Sequence, residues 1–459
     1  MGRRSHIRRL ALWMNGESVG TWSVSPQGDE LRYGDGWLVS AQARPLSLSL
    51  PFTPGNQPHR GAVVRAYFDN LLPDSQPMRD RLARRFRSAT AEAFDLLAEI
   101  GRDCVGALQI LPDGAPPGDV RFIDAEPLNE AGVARLLKAS LAPAPLGGDA
   151  ADAADAADAA DADDFRISIA GAQEKTALLW HQGQWWRPRG ATPTTHILKL
   201  PLGLVGNMKL DLNESVENEW LCAQLLQAYG LSVARCHPLV FEGQRVLGVE
   251  RFDRRWSDDG RWLLRLPQED LCQATGTPAH AKYEADGGPG IDRILEVLNA
   301  SSRRVRDREH FFRAQLLFWM LCAPDGHAKN FSLALQAGGG FSMTPLYDVM
   351  SAYPVLGDGP GRLSAHRVKL AMALRTKNPH WKMRDIQRRH WVEVGRRNGI
   401  VTADGQGVEA IVDDLVTRTP GVVATVASQL PAGFPAHLAD AVIAGLTAAA
   451  RQLETAGRP

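Results

Sequence analysis

The chain has 459 residues, 44% of them hydrophobic and 23% charged, with 52 Lys plus Arg matched by 52 Asp plus Glu. That length accommodates two or three packed domains, and the zero net charge neither recruits nor repels nucleic acid, so any basic surface must be local. No apolar run nears membrane-spanning length, the basic N-terminus lacks a signal-peptide core, and five cysteines without a Cys-x-x-Cys pair suit a reduced cytoplasm better than disulfides or zinc.

From the N-terminus, residues 10–14 alternate in polarity, Asn15-Gly16 is a hairpin turn signal, and residues 19–24 resume the alternation. Ser47-Leu48-Ser49-Leu50-Pro51 reads as another period-two strand ended by its proline. Helical spacing covers residues 61–86, broken at Leu71-Leu72-Pro73-Asp74. A further helix is expected over residues 89–100, burying Phe94, Leu96, Leu97 and Ile100, with Gly101 as its stop.

Residues 142–164 are of low complexity, with aspartate at every third position from Asp149 to Asp161 among alanines. Period three drifts around a 3.6-residue helix and the charges repel, so a mobile acidic linker is expected rather than a packed element. Strands are then expected at 166–169, 176–180, 195–200 and 245–252, with a helix at 214–229 ended by Gly230. An amphipathic helix from Asp307 runs toward Pro324, and residues 362–452 read as mostly helical. The expected class is α+β: an N-terminal α/β subdomain (1–112), a connector (113–164), a sheet lobe with a hinge (165–255) and a helical lobe (256–459), with a cleft between the lobes.

The most informative stretch runs from Cys322 to Ser332. Asp325 stands five residues before Asn330, and Asp348 follows in Leu346-Tyr347-Asp348-Val349. Phosphoryl transfer needs one carboxylate to take or orient the acceptor proton and an amide with a second carboxylate to hold magnesium. The protein-kinase signature has the same Asp-to-Asn interval, although its His-Arg and Phe-Gly neighbours are absent here. The plain alternative is a helix-terminating turn, since Asp-Gly and Asn are turn residues.

Four further features bear on this reading. Lys199 interrupts an apolar strand, where a lysine needs an anion, with Glu217 or Glu219 as its tether. The loop Ala170-Gly171-Ala172-Gln173-Glu174-Lys175 lies between strands and can cover phosphates, though one glycine makes it a weak signal. Glu250-Arg251-Phe252 has the character of a hinge, where backbone would meet adenine and Phe252 pack on its ring. Arg384, Arg388, Arg389, Arg396 and Arg397 form a basic stretch that is either a solvated face or a contact to DNA phosphates.

Together these residues resemble the HipA family of serine/threonine kinases, the toxin half of bacterial toxin–antitoxin pairs. The resembling segments lie at 43–51, 68–75, 101–107, 168–179, 216–219, 250–254 and 266–270, at Lys282-Tyr283-Glu284 with 286–290, and at the Asp325 and Asp348 motifs. The resemblance implies a two-lobed protein-kinase-like fold with an extra N-terminal subdomain, using ATP and magnesium. It implies Asp325 as catalytic base, Asn330 and Asp348 as magnesium ligands, and Lys199 as phosphate-binding lysine. Residues 170–175, Glu250 to Phe252, His327, Ala328, Lys329 and Tyr347 complete the nucleotide-contacting set. Ser168 takes the position of an inhibitory autophosphorylation, a small helix-turn-helix antitoxin and operator DNA are the implied partners, and an aminoacyl-tRNA synthetase is the implied target. Two departures stand out: the acidic insertion before the loop, and Pro324 immediately before Asp325. Two other readings use the same residues: a kinase-like corepressor on operator DNA, and a small-molecule kinase.

Overall fold

A computed structural model describes residues 7–141, 173, 175–206 and 208–455. The expected linker at 142–164, the strand at 166–169, Ser168, Ala170, Gly171, Ala172 and Glu174 all lie outside the described residues.

The N-terminal unit is an antiparallel sheet of β1 (Arg8–Met14), β2 (Glu17–Ser25), β3 (Gly28–Tyr33), β4 (His59–Arg60) and β5 (Leu108–Pro112), in the order β4-β3-β2-β1-β5. Asn15 and Gly16 both take positive φ (46° and 87°), the requirement of a tight hairpin turn. Helices α1 (Asp35–Leu38), α2 (Ala62–Asp69), α3 (Gln76–Arg85) and α4 (Ala93–Ile100) accompany the sheet, and Trp22 stacks on Phe68 at 3.9 Å while meeting the edge of Phe94 at 4.9 Å. Residues 47–51 are not a strand. Leu46 and Leu50 are buried in a turn, and the intervening serines are spent on the neighbouring lobe: Ser47 and Ser49 both donate to the Gln273 carbonyl, at 3.1 and 2.7 Å. The alternation reflects docking rather than a sheet face.

The second sheet has six strands: β6 (Ala125–Leu128), β7 (Lys175–His181), β8 (Gln184–Pro188), β9 (His196–Lys199), β12 (Cys236–Phe241) and β13 (Gln244–Glu250), ordered β12-β13-β9-β7-β8-β6. Helix α5 (Glu130–Leu141) packs Val133, Ala134 and Leu137 into a small core with Leu178, Leu198 and Val246. The stretch expected to be a connector is thus partly built into this lobe, because β6 pairs with β8 and α5 supplies apolar cover. A hairpin of β10 (Gly203–Val205) and β11 (Leu210–Leu212) leads into α6 (Ser215–Ala228).

The remainder opens with β14 (Arg254–Trp256), β15 (Leu263–Arg265) and β16 (Gln268–Asp270), then α7 (Leu271–Thr275), α8 (Ile291–Val297) and α9 (Arg304–Met320). Strands β17 (Ser332–Leu335) and β18 (Phe341–Met343) extend β16, and α10 (Arg388–Arg397), α11 (Val408–Ser428) and α12 (Ala436–Thr455) close the lobe. The C-terminal region is not all helical: β19 (Lys369–Arg375) and β20 (Pro379–Lys382) form a hairpin. Leu370 to Leu374 are buried on both faces, so their unbroken apolar run carries no period that separates strand from helix. The basic stretch around α10 is largely ion-paired, with Arg388 on Asp413 (2.7 Å), Arg397 on Asp292 (2.6 Å) and Arg396 on Glu409. All five cysteines are buried and free, and no helix among the described residues is long and apolar enough to cross a membrane.

Candidate active site

Strand β9 buries Leu198 in the sheet-lobe core, and strand alternation turns Lys199 to the opposite face, toward the cleft. The Lys199 ammonium donates to Glu219 Oε1 at 2.6 Å and to Asp348 Oδ1 at 2.8 Å, joining β9, α6 and the segment after β18. Burial opposes its charge, but the two carboxylates outweigh burial and raise its pKa. Burial likewise opposes ionisation of Asp348, yet Lys199 and Lys175 hold it well below the usual carboxylate range. Glu219, more deeply enclosed, is pushed up by burial. Of the two expected tethers only Glu219 serves. Glu217, two residues back and hence on another side of α6, accepts from Arg245 Nη1 at 2.7 Å.

Lys175 lies directly across the β7–β9 pair from Lys199. Burial and the neighbouring Lys199 charge lower its pKa to about 8, against the opposing pull of Asp348. Two lysines facing each other in a buried strand pair are costly unless an anion comes between them.

Below the cleft, α9 is buried along most of its length and ends in the loop carrying Asp325. Gly326 is required there, because a Cβ would come within 2.4 Å of Phe318 Cδ2. The loop is self-tied: the Asn330 amide nitrogen donates to the Asp325 carbonyl at 2.6 Å. The Asp325 carboxylate is exposed to the cleft and accepts from the Tyr283 hydroxyl. His327 is buried with its ring edge-on to Tyr283 at 4.9 Å, and burial lowers its pKa. Ala328 is the exception among the expected contacts: its methyl is fully enclosed in the helical core and does not reach the cleft.

Lys329 donates to Asp74 Oδ1 at 2.6 Å, and Lys282 to Asp74 Oδ2 at 2.8 Å. Burial works against the Asp74 charge, but the two ammonium groups outweigh it and hold its pKa at about 2. The N-terminal unit thereby places a carboxylate at the edge of the site. Tyr347 donates to the Lys329 carbonyl at 2.9 Å and packs against Phe252 at 5.7 Å. Asp348 adopts φ +61°, an uncommon conformation for a non-glycine residue, and the loop beyond it is pinned by reciprocal 2.8 Å hydrogen bonds between Asn218 and Ser351.

These groups surround one cavity of about 200 Å³ between the lobes. Lys175, Lys199, Asp325, Asn330 and Asp348 face it on the polar side, with Ile197, Val249, Phe252 and Met350 on the apolar side. Gln173 lines it too, its amide donating to the Leu200 carbonyl at 2.5 Å. Glu250 and Arg251 border the cavity, but the Arg251 guanidinium donates to Asp253 at 2.8 Å and Asp103 at 3.2 Å, and the Arg251 and Glu250 N–H groups donate to the Thr195 and Arg235 carbonyls, both at 2.8 Å, so these donors hold the hinge strand in place. Asp74, Lys282 and Tyr283 were not singled out as site residues from sequence. Their only signal was membership of family-like segments.

Asn330 and Asp348 suit magnesium by donor chemistry. The Asn330 nitrogen is held by Asp325, which leaves its carbonyl oxygen for a cation, and Asp348 adds a carboxylate on the same cavity. No group of three or more His, Cys, Asp or Glu side chains able to hold a metal occurs among the described residues, so a cation here would complete its shell with phosphate and water oxygens, as magnesium does.

Comparison with known proteins agrees with this architecture. A model described as the HipA N-terminal domain matches residues 10–111, and one described as the HipA-like C-terminal domain matches residues 167–423. A Sinorhizobium fredii protein with the name "Putative kinase Y4mE" is 35% identical over 372 residues, covering 80% of this chain and 83% of its own. The serine/threonine-protein kinase toxin HipA of Shewanella oneidensis is 26% identical over 320 residues, 67% of this chain and 66% of its own. A solved structure of S. oneidensis HipA with HipB and its operator DNA matches with a TM-score of 0.75 over 97% of both chains at 22% identity, which shows the two-lobed kinase-like fold.

Proposed function

This chain belongs to the HipA family, and from that premise we propose that it is an ATP- and magnesium-dependent serine/threonine protein kinase acting as a growth-arresting toxin. The observation that carries the reading is the convergence of Lys199, the Asp325–Asn330 loop and Asp348 on one cavity from three separate parts of the chain. In this reading Lys199 and Lys175 hold the donor's phosphates. Glu219 fixes Lys199 from behind, and the apolar side of the cavity takes the adenine near Glu250 and Phe252. The acceptor hydroxyl gives its proton to Asp325 as its oxygen bonds to the γ-phosphorus. The bond from that phosphorus to the β–γ bridging oxygen breaks, and ADP leaves with the electron pair. Magnesium held by Asn330 and Asp348 supplies charge neutralisation on the phosphates.

The family also supports a set of finer assignments. Ser168 is the proposed site of autophosphorylation, since a dianionic phosphate beside a phosphate-binding loop would repel nucleotide. Residues 170–174 complete that loop. The proposed units are those given from sequence, with β6 and α5 assigned to the sheet lobe. The partner is a helix-turn-helix antitoxin, with operator DNA reached through that complex, and the target is an aminoacyl-tRNA synthetase. The S. oneidensis complex of HipA with HipB and DNA supports the antitoxin and DNA assignments. The test is transfer of γ-labelled phosphate from ATP to serine in a candidate synthetase. Wild type should label it and Asp325→Asn should not, and induced expression should arrest growth only with Asp325 intact. Equal labelling by Asp325→Asn would reject the reading.

A further inference from the structure

The Tyr283–Asp325 hydrogen bond lies between two hollows. Asp325 faces the nucleotide cavity, while Tyr283 and Pro324 line a separate groove of about 460 Å³ on the other side. The groove's remaining wall is the β19–β20 hairpin, through Lys369, Leu370 and Trp381, with Asp286 on the opposite rim.

Tyr283 is presented by a rigid turn. Its carbonyl accepts from both Asp286 N (3.0 Å) and Gly288 N (2.9 Å). A Cβ at Gly288 would come within 2.3 Å of the Ala281 carbonyl, so that turn admits only glycine. The next residue, Glu284, anchors the turn to the hairpin by accepting from the Ala373 N–H at 2.6 Å. The phenol is therefore aimed, with its ring set edge-on to buried His327. A hydroxyl donating to the proposed base is the interaction that an acceptor serine or threonine must make there. Burial raises the Tyr283 pKa, so the phenol stays a donor.

Resting on the kinase reading, we infer that Tyr283 is the acceptor gate: its hydroxyl holds the acceptor's place on Asp325 until a serine- or threonine-bearing extended chain, seated in the Pro324–Trp381 groove, displaces it. The occupant is identified by three features. The groove adjoins Asp325 through Pro324, and Trp381, Leu370 and Pro324 give it an apolar floor between one cationic and one anionic rim residue. The β19–β20 pairing shifts register between Lys369 and Leu374, so the strand segment that carries Leu370 departs from regular pairing where it borders the groove.

The gate predicts a behaviour that a structural tyrosine would not show. With MgATP, no separate protein acceptor and Ser168→Ala as the background that removes the proposed autophosphorylation, water is the remaining nucleophile. It must compete with the Tyr283 hydroxyl for Asp325, giving ADP, inorganic phosphate and a proton. Tyr283→Phe keeps the ring against His327 and removes one hydrogen bond to a carboxylate, so hydrolysis should rise about tenfold. Trp381→Ala should raise the KM of a degenerate mixture of serine-centred peptides several-fold more than it lowers kcat, with the melting temperature recorded for both variants. Unchanged or reduced hydrolysis by Tyr283→Phe would overturn the gate. An unmoved peptide KM in Trp381→Ala, or a peptide mixture that takes no label while water does, would overturn the groove. Asp325→Asn separates the two levels: if it hydrolyses ATP as fast as wild type, the kinase reading itself fails.

Discussion

Two clusters of aspartates with basic partners serve opposite ends. In the first, Asp103 of the N-terminal unit and Asp253 beyond the hinge are enclosed by Arg251, Arg254 and Arg265. Asp103 accepts from all three arginines and from Thr194, and Asp253 also accepts from Gly106 N at 2.7 Å. In the second, Asp348 has Lys199 on one oxygen, Asp325 has a phenol and a distant imidazole, and Lys175 sits beside Lys199 on the paired strand, both lining the cavity. The first cluster meets both of its carboxylates with several donors each and is a rivet between units, even though Arg254 Nε and Arg265 Nη1 are left without partners. The second faces a cavity with carboxylate capacity unspent and is a place for a ligand. Burial of charge alone distinguishes nothing; carboxylate capacity left open toward a cavity does.

The comparison can be broken most severely by exchanging which cluster is cut. Asp325→Asn should lower phosphoryl transfer by a factor on the order of 10² to 10⁴ while leaving the urea midpoint near that of wild type. Asp103→Ala should do the reverse in kind, destabilising by about 3–5 kcal/mol because three enclosed guanidinium groups lose their shared anion. A stable Asp103→Ala protein with normal melting would show that the rivet is not one. A smaller effect is expected at Lys199. Lys199→Met should lose most nucleotide affinity by calorimetry and some stability, since Glu219 is left enclosed without its cation. Adding Glu219→Gln should recover the stability but not the binding. Recovery of both would mean that Lys199 holds the fold rather than a phosphate.

Proton linkage sharpens the contrast further. Burial and the Lys199 charge lower the Lys175 pKa to about 8, and a triphosphate favours its charged form. Nucleotide binding should therefore take up a proton near pH 8, and affinity should fall as pH rises above that value, with little linkage well below it. Calorimetry in buffers of differing ionisation enthalpy measures this uptake directly, and none at pH 8 would remove Lys175 from the phosphate site. The smallest effect belongs to Glu269, which accepts from Leu48 N at 2.9 Å where the N-terminal unit docks. Burial raises its pKa from 4.5 to about 8, so its contribution to stability is complete below pH 4.5 and is lost as pH climbs through 8. Glu269→Gln should flatten that decline and be the more stable protein at pH 8, by about 1 kcal/mol, as urea titrations at several pH values would show.

What could be read from sequence followed the reach of local signals. The Asp325-to-Asn330 interval is contiguous, and Lys199 announced itself as a charge in an apolar strand. Choosing between Glu217 and Glu219 needed the phase of α6 against the sheet, which two carboxylates two residues apart do not reveal. Asp74 meets Lys329 across 255 positions and Tyr283 meets Asp325 across 42, with no spacing to announce either contact. The misread elements have local causes too. The alternation at 47–51 belongs to a docked turn, and the 369–382 hairpin lies in an apolar stretch without a period.

The most direct trial of the account is a structure of the full chain with a non-hydrolysable ATP analogue and magnesium. The account predicts the β- and γ-phosphates between Lys175 and Lys199, the ion on Asn330 and Asp348, and the terminal phosphorus facing Asp325. Phosphates bound elsewhere, such as the tryptophan-lined hollow at Trp180, Trp185 and Trp256 on the outer face of the sheet lobe, would contradict it.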